Sequence, residues 1–494
     1  MDYLNPKKEQ RHRTVLFIGY GCIAIAIALT TLVLVYQAYG FGLAKQGTVI
    51  QSGLTFFSSQ PNPATITLNG KVNKSNTNAR LTLPENIYNV EISRDGYEPW
   101  KRTIQVEGGS VHHFDYPLLV PKQLTPKKIA SFPTAPSLFS QSLDKRWIII
   151  QKEVAATSFD VYDTKNPAKA PTSIALPDSV STKATATESW VQQEWADDNN
   201  HLILKHTVDT KMEFIMLNRT NPEQSVNLST TLTGAPFTDV TLINRKYDLY
   251  YLYDAPSKTL LKASISAPSA QPVLQHVLNF KSYSDDTILY ASDDKTPTGK
   301  VVIKLLIGTD TTKLRMLPSG STYLLDLTKY DGNLFVVLGA ASDNKLAVYK
   351  DPIGQLAKSE TKSLAPSQVL HVDLPNYVSF SSSAQYIMAE NGRQFAIYDV
   401  QNDHGYNYTA KQPLDAPAAH ASWMDGNRLT YVSEGSVIFF DYDYTNLHKL
   451  VPSSSQYLPA FSRDYKFTYT LPTPVVGTGD VTLMQTSLLA PADQ

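Results

Sequence analysis

The sequence predicts an all-β chain in which an N-terminal transmembrane helix is followed by a small β-sandwich and then a β-propeller. Three observations carry this reading. Residues 15–39 form a single uncharged apolar run; residues 47–118 alternate apolar and polar positions between turn dipeptides; and beyond Pro121 one phrase of turn, apolar strand, turn and strand recurs to residue 490.

The apolar run comes first. A helix rises about 1.5 Å per residue and about 20 residues cross a hydrocarbon core of ~30 Å, so the 25 residues Val15 to Tyr39 span it with some tilt. A secretory signal has an apolar core of about 7 to 15 residues and then a small-x-small cleavage site. Here the core is longer and offers only Ala38-Tyr39-Gly40, so it reads as an uncleaved anchor. Lys7, Lys8, Arg11 and Arg13 outweigh Asp2 and Glu9 before the run, whereas Lys45 stands alone after it. The positive-inside bias then keeps residues 1–14 cytoplasmic and exports the rest, giving a single-pass protein of the cell membrane with extracytoplasmic C-terminal domains. The one cysteine, Cys22, lies inside the run, so the exported part forms no disulfides. Gly21-Cys22 fits lipidation locally, but Ile23 to Val35 continue the apolar stretch and argue against it. Ala24-x-x-x-Ala28 is small-residue spacing of a kind common in membrane helices.

Composition sets the next bound. The net charge is -1, from 44 bases and 45 acids, which excludes nucleic acid as a partner and a broad electrostatic membrane patch. With 28 Tyr, 30 Pro and only 18% charged residues, the chain carries the residues of strands and turns. A length of 494 residues calls for more than one domain or one large repeat array.

Between residues 47 and 118 the expected strands are Leu54 to Phe57, Ala64 to Leu68, Ala79 to Leu83, Tyr88 to Ile92 and Trp100 to Val106, all dominated by a period of two. Asn69-Gly70 and Asp95-Gly96 suit turns needing positive φ, and Gly108-Gly109 breaks the last pair. Pro61 and Pro63, Leu68-Asn69-Gly70-Lys71, Pro84-Glu85-Asn86, Tyr88-Asn89-Val90-Glu91-Ile92 and Asp95-Gly96-Tyr97 together resemble the PEGA domain. Asn86 stands where that family usually has Gly, and Asn tolerates the left-handed conformation such a turn requires. The resemblance implies an extracytoplasmic, non-catalytic module facing a bacterial surface or wall. Tyr88, Tyr97 and Trp100 are expected as core and edge aromatics rather than a sugar-stacking platform.

After a linker, Pro117 to Gln123, eight phrases begin near Trp147, Leu202, Leu249, Ile288, Leu334, Tyr386, Leu429 and Phe467, at steps of 38 to 55 residues. Repeats of that period signal solenoids or propellers. Each phrase follows a turn such as Asp197-Asp198-Asn199-Asn200 or Asp425-Gly426-Asn427, and in seven of the eight a second strand comes about 10 to 15 residues later, the third phrase offering only the weaker Leu260-Leu261-Lys262-Ala263. Four short strands per ~45 residues make a propeller blade, so residues 124–490 are expected to form eight blades, with seven as the alternative. The last phrase lacks an outer strand, and Lys127 to Phe132 is expected to pair there and close the ring. Val161-Tyr162-Asp163, Ile397-Tyr398-Asp399, Phe439-Phe440-Asp441 and Trp423-Met424-Asp425-Gly426-Asn427 resemble WD40-like and TolB-like propeller repeats, although the Gly-His and Trp-Asp pairs of true WD40 blades are missing.

No His-Glu-x-x-His run, cysteine pair, Gly-rich phosphate loop or Gly-x-Ser-x-Gly occurs, so no catalytic, cofactor or metal residue is nominated. His112-His113 would point to opposite faces of a strand. The acid pairs Asp197-Asp198, Asp285-Asp286, Asp293-Asp294 and Asp441-x-Asp443 lack calcium-loop spacing and read as loop tips. Glycosylation sequons occur at Asn73, Asn218, Asn227 and Asn407. The expected function is a membrane-anchored, non-enzymatic binding or scaffold protein, needing no cofactor, whose propeller recognises a protein or glycan of the cell envelope. Its alternatives are a propeller glycosidase or lyase with central carboxylates, and an assembly subunit resembling TolB.

Overall fold

The computed structural model describes residues 6–38, 40–43, 49–151, 157–183, 188–359, 364–415, 420–474 and 479–493. It divides into two compact units, Met1–Gln123 and Leu124–Gln494.

The first unit opens with a helix, Pro6–Ala38. Proline suits a first helical position because its missing N–H has no intrahelical partner there anyway. The stretch Glu9–Ala38 is long and apolar enough to cross a membrane, with a mean hydropathy of 2.3 and none of it buried against protein. Asp2, Tyr39 and Lys45 lie outside the described residues.

Two sheets follow. One carries Phe41–Leu43, Val49–Phe57 and Ala79–Pro84, with Val111–Phe114 running parallel to Val49–Phe57. The other carries Lys71–Asn76, Thr65–Leu68, Asn86–Ser93 and Trp100–Val106 in that order. Phe57, Ile66, Ile92, Val106, Tyr97 and Trp100 fill the core, and each is at most 2% exposed. The five expected strands are present; Phe41–Leu43, Lys71–Asn76 and Val111–Phe114 are additional. Lys71–Asn76 is solvent-facing almost throughout, so no alternation of apolar residues marks it. The Asn69-Gly70 turn has φ of 48° and 77°, as a two-residue hairpin requires. Asn86 departs from expectation. It begins the strand Asn86–Ser93, pairs with Val106 and does not take a positive φ, while its Oδ1 accepts the Ile87 N–H at 2.8 Å.

The second unit holds eight successive four-stranded antiparallel sheets among its described residues, a β-propeller. Their first strands are Phe139–Gln141, Glu188–Trp195, Asp239–Leu242, Val277–Ser282, Tyr323–Tyr330, Tyr377–Phe380, Ser422–Trp423 and Ala460–Phe461. The apolar strands read from the sequence are the second and third of each sheet. Ile148, Ile149 and Ile150 are all fully buried, because neighbouring sheets cover both faces and a continuous apolar run replaces alternation.

The sheets pack in chain order. Ile149 and Phe159 meet Trp190 and Leu204 between the first and second, and Tyr251 and Leu260 meet Ile288 and Tyr290 between the third and fourth. Leu289 and Ile303 meet Val336 and Leu338 between the fourth and fifth. Phe395 stacks 6.1 Å from Tyr431 between the sixth and seventh. Tyr469 and Leu483 of the eighth pack on Ile148 and Ile150 of the first, so the row closes on itself. The strand Pro126–Phe132 completes the eighth sheet by pairing with Val481–Ser487, the closure anticipated from the sequence.

Candidate functional site

The first strands converge, and a sheet edge at such a centre presents backbone N–H and C=O groups that splayed neighbours cannot pair in a ladder. Polar side chains bridge the gaps instead. Gln141 Nε2 donates to Phe461 O at 2.8 Å while its Oε1 accepts the Phe461 N–H at 3.2 Å, joining the first and eighth sheets. Ser140 Oγ donates to Gln192 Oε1 at 2.7 Å, from the first sheet to the second. Gln193 Nε2 donates to Asp239 Oδ1 at 2.7 Å, and Leu242 N–H donates to Glu194 Oε2 at 2.8 Å, from second to third. Asn279 Nδ2 donates to Tyr323 O at 2.6 Å, and Phe380 N–H donates to Asp326 Oδ2 at 3.2 Å, carrying the belt on to the sixth sheet.

At the face where these strands end lies a cavity of about 790 Å³. Gln193, Glu194, Thr241, Arg245, Phe280, Lys281, Ser282, Tyr283, Ser284, Asp326 and Thr328 line it, contributed by the second to fifth sheets. Burial pushes the carboxyls of Glu194, Asp239 and Asp326 above the usual range, partly countered by the backbone N–H groups they accept and by cations, Arg245 and then Lys281 for Glu194, Lys281 for Asp326 and Lys205 for Asp239. Burial also raises the Tyr377 hydroxyl, which sits in the field of Lys281 and Asp326. At the rim, Arg245 pairs with Asp197 at 3.7 Å and Lys329 lies 5.4 Å over the Tyr283 ring. The lining thus combines hydroxyls, amides, charges of both signs and the rings of Phe280 and Tyr283. That mixture suits a polar, hydroxyl-rich ligand or a polar loop of another protein.

A second buried cluster lies within the second sheet. His206 is fully buried, with Nδ1 2.7 Å from Glu213 Oε1 and Nε2 2.7 Å from Glu188 Oε1, and its ring stacks on Trp190 at 3.7 Å. Desolvation raises the Glu213 carboxyl, but hydrogen bonds from His206, Thr182 and Asn227 outweigh it and hold the group at about 2.

Of the residues singled out in the sequence, Asp197 lies at the cavity rim and the others lie elsewhere. Tyr97 and Trp100 are core residues, and half-buried Tyr88 donates its hydroxyl to Pro84 O at 2.9 Å. His113 stacks on Phe56 at 4.6 Å, whereas the His112 ring lies 2.6 Å from Ser110 Oγ, so the two rings serve separate contacts. Asp198 holds His201 at 2.6 Å, Asp286 accepts from Thr287 at 3.0 Å, Asp293 and Asp294 pair with Lys258 and Lys304, and Asp443 accepts from Thr445 at 2.6 Å. Asn218 and Asn227 are buried and hydrogen-bonded, so those two sequons are closed in the folded protein, while Asn407 is exposed. Glu194, Lys281 and Asp326 were not singled out from the sequence. They sit on first strands, Glu188–Trp195, Val277–Ser282 and Tyr323–Tyr330, in which scattered charged and amide residues interrupt the apolar run and so mask the strand.

Against family models, residues 53–120 match the PEGA domain. No curated protein sequence matches the chain. Among solved structures the propeller of Dos1 is similar with a TM-score of 0.46 and 14% identity, over 74% of this chain and 95% of that one. An oligogalacturonate lyase in complex with manganese gives a TM-score of 0.42 and 10% identity, over 74% and 98%. The propeller domain of Cps50 (Swd1) from Myceliophteria thermophila gives 0.38 and 10%, over 73% and 99%. Residues 53–120 match the PEGA domain, and the chain joins that segment to an N-terminal helix able to span a membrane and to a β-propeller.

Proposed function

We propose that this is a membrane-anchored, extracytoplasmic binding or scaffold protein of the cell envelope, held by residues 15–39, whose propeller recognises an envelope protein or glycan through the central cavity. The observation that carries the reading is the engagement of the two inner cavity carboxylates, Glu194 and Asp326, while the third, Asp197, is exposed at the rim beside Arg245. Glu194 accepts the Leu242 N–H, and Asp326 accepts the N–H groups of Leu327 and Phe380, so both are spent on lashing neighbouring sheets together. What remains towards solvent are hydroxyls, amides, Lys281, the Arg245–Asp197 pair and aromatic faces, which are groups for binding.

The test is affinity capture from envelope extract by the full chain in detergent, read by mass spectrometry and by glycan binding. A reproducible partner is expected whose retention falls when Lys281→Ala and Tyr283→Ala are combined. Recovery of a membrane protein after crosslinking would favour the assembly-subunit reading.

A second reading, a glycosidase or lyase, is favoured by Glu194, Asp326, Lys281 and two aromatic rings lining one cavity. It predicts turnover of an envelope polysaccharide that Glu194→Gln or Asp326→Asn abolishes. Turnover that survives neither substitution would overturn the binding reading.

A further inference from the structure

Gly40, beside the C-terminal end of the helix, is hydrogen-bonded in both directions. Gly40 N–H donates to Gln37 O at 3.0 Å, capping the helix, and Gly40 O accepts the Ser52 N–H at 2.7 Å. Ser52 O in turn accepts the Gly109 N–H at 3.0 Å. Two hydrogen bonds therefore connect the point where the chain leaves the helix to the loop 107–110. The chain then enters the sheet directly as Phe41–Leu43, paired with Val49–Gln51, and Tyr36 of the helix lies 5.0 Å from Phe41. Gly40 has φ of +80°, and a Cβ there would meet Ser52 O at 2.4 Å; a Cβ on Gly53 would meet Glu107 O at 2.5 Å. Glycine is what lets these backbones approach so closely.

The opposite end of the same domain lies along Trp100–Val106, whose seven residues extend roughly 20 Å. There Ile92 pairs with Trp100, the turn containing Asp95 follows, and Lys122 N–H donates to Gly96 O at 2.9 Å as the chain departs. Entry and exit are thus at opposite ends.

We infer that the end of the PEGA-type domain formed by the loop 107–110 with Gln51 and Ser52 rests on the phospholipid headgroup layer, held there by strand addition from the membrane helix rather than by charge. The inference rests on the membrane reading of Val15 to Tyr39. Glu107 is exposed at this end and brings no positive charge to anionic lipid, so the tether and not electrostatics sets the height.

The test uses the full chain with Cys22→Ser, reconstituted in phosphatidylcholine vesicles carrying a headgroup-attached nitroxide quencher. A dye is placed at Glu107→Cys or at Asp95→Cys, both exposed positions. Quenching is expected to be several-fold stronger at 107 than at 95 and unchanged when anionic lipid is added. Inserting about ten Gly/Ser residues after Gly40, worth roughly 17 Å of reach, is expected to erase that difference. Equal quenching at the two positions, or strong quenching at 107 that persists after the insertion, overturns the inference. Flotation with the vesicles is read in the same samples; a chain that fails to float overturns the membrane reading itself and this inference with it.

Discussion

His206 shows how a buried polar ring is made tolerable. Both ring nitrogens face carboxylates at 2.7 Å, Trp190 covers the ring, and Glu213 is further held by Thr182 and Asn227. Replacing His206 by Ala removes the hydrogen-bond partner that the buried Glu188 and Glu213 carboxylates share, and leaving such buried groups short of a partner costs roughly 1–3 kcal/mol, more for charged ones. Urea denaturation of the full chain in detergent checks that loss. The pH dependence has a definite sign. The folded Glu213 carboxyl titrates at about 2, below its ordinary 4.5, so its contribution is fully present above the ordinary value and disappears as pH falls through about 2. Urea midpoints of the wild type should therefore fall between about pH 6 and about pH 3 as this contribution is progressively lost, whereas Glu213→Gln should start less stable and lack this part of the acid dependence. Glu194 and Asp326 behave oppositely. Burial raises both, so they disfavour the fold once pH rises through their folded values.

Local chemistry dictates several elements almost alone. Asn69-Gly70 sits between strands whose register, Leu68 opposite Lys71, permits only a two-residue turn with positive φ. Gly70→Ala should cost about 1 kcal/mol, because a Cβ in left-handed backbone is strained by about 1–2 kcal/mol while open space around it adds no clash; thermal melting reads the shift. The strand Pro126–Phe132 is a different case, since its partner lies more than 340 residues away. Its apolar residues mark it as a strand, but only the unfinished eighth sheet tells it where to pair. Phe132 is 1% exposed in the seam between the eighth and first sheets. Phe132→Ala should cost ~3–5 kcal/mol, and deleting residues 124–132 should replace one cooperative transition by a broad, low-enthalpy one in calorimetry. An unchanged melt would show that the ring does not depend on this strand.

Across the whole molecule, the separate cores of the two units predict separate unfolding. Trp100 is in the first unit and Trp147, Trp190, Trp195 and Trp423 are in the second. Fluorescence in rising urea should show two transitions, and Trp100→Phe should remove the smaller from the fluorescence record while circular dichroism still reports it. A single transition followed identically by both probes would mean that the units unfold together. Ring closure also makes the second unit rich in contacts between residues distant in sequence, so refolding is expected to be slow compared with helical proteins of similar stability.

The sequence by itself determined the apolar helix, the turn dipeptides, the PEGA resemblance and the second and third strands of the repeats, because each is written in neighbouring residues through charge, backbone freedom or a run buried on both faces. Asn86 marks the limit of that local reading: a residue able to turn was drawn instead into a strand by its partner Val106. The first strands, the belt of Gln141, Gln193, Glu194, Asn279 and Asp326, and the cavity above it were decided only by tertiary structure. Their physical cause is the convergence of sheet edges at one axis, which leaves backbone groups that side chains from another sheet must satisfy, and no single repeat contains both halves of such a pair.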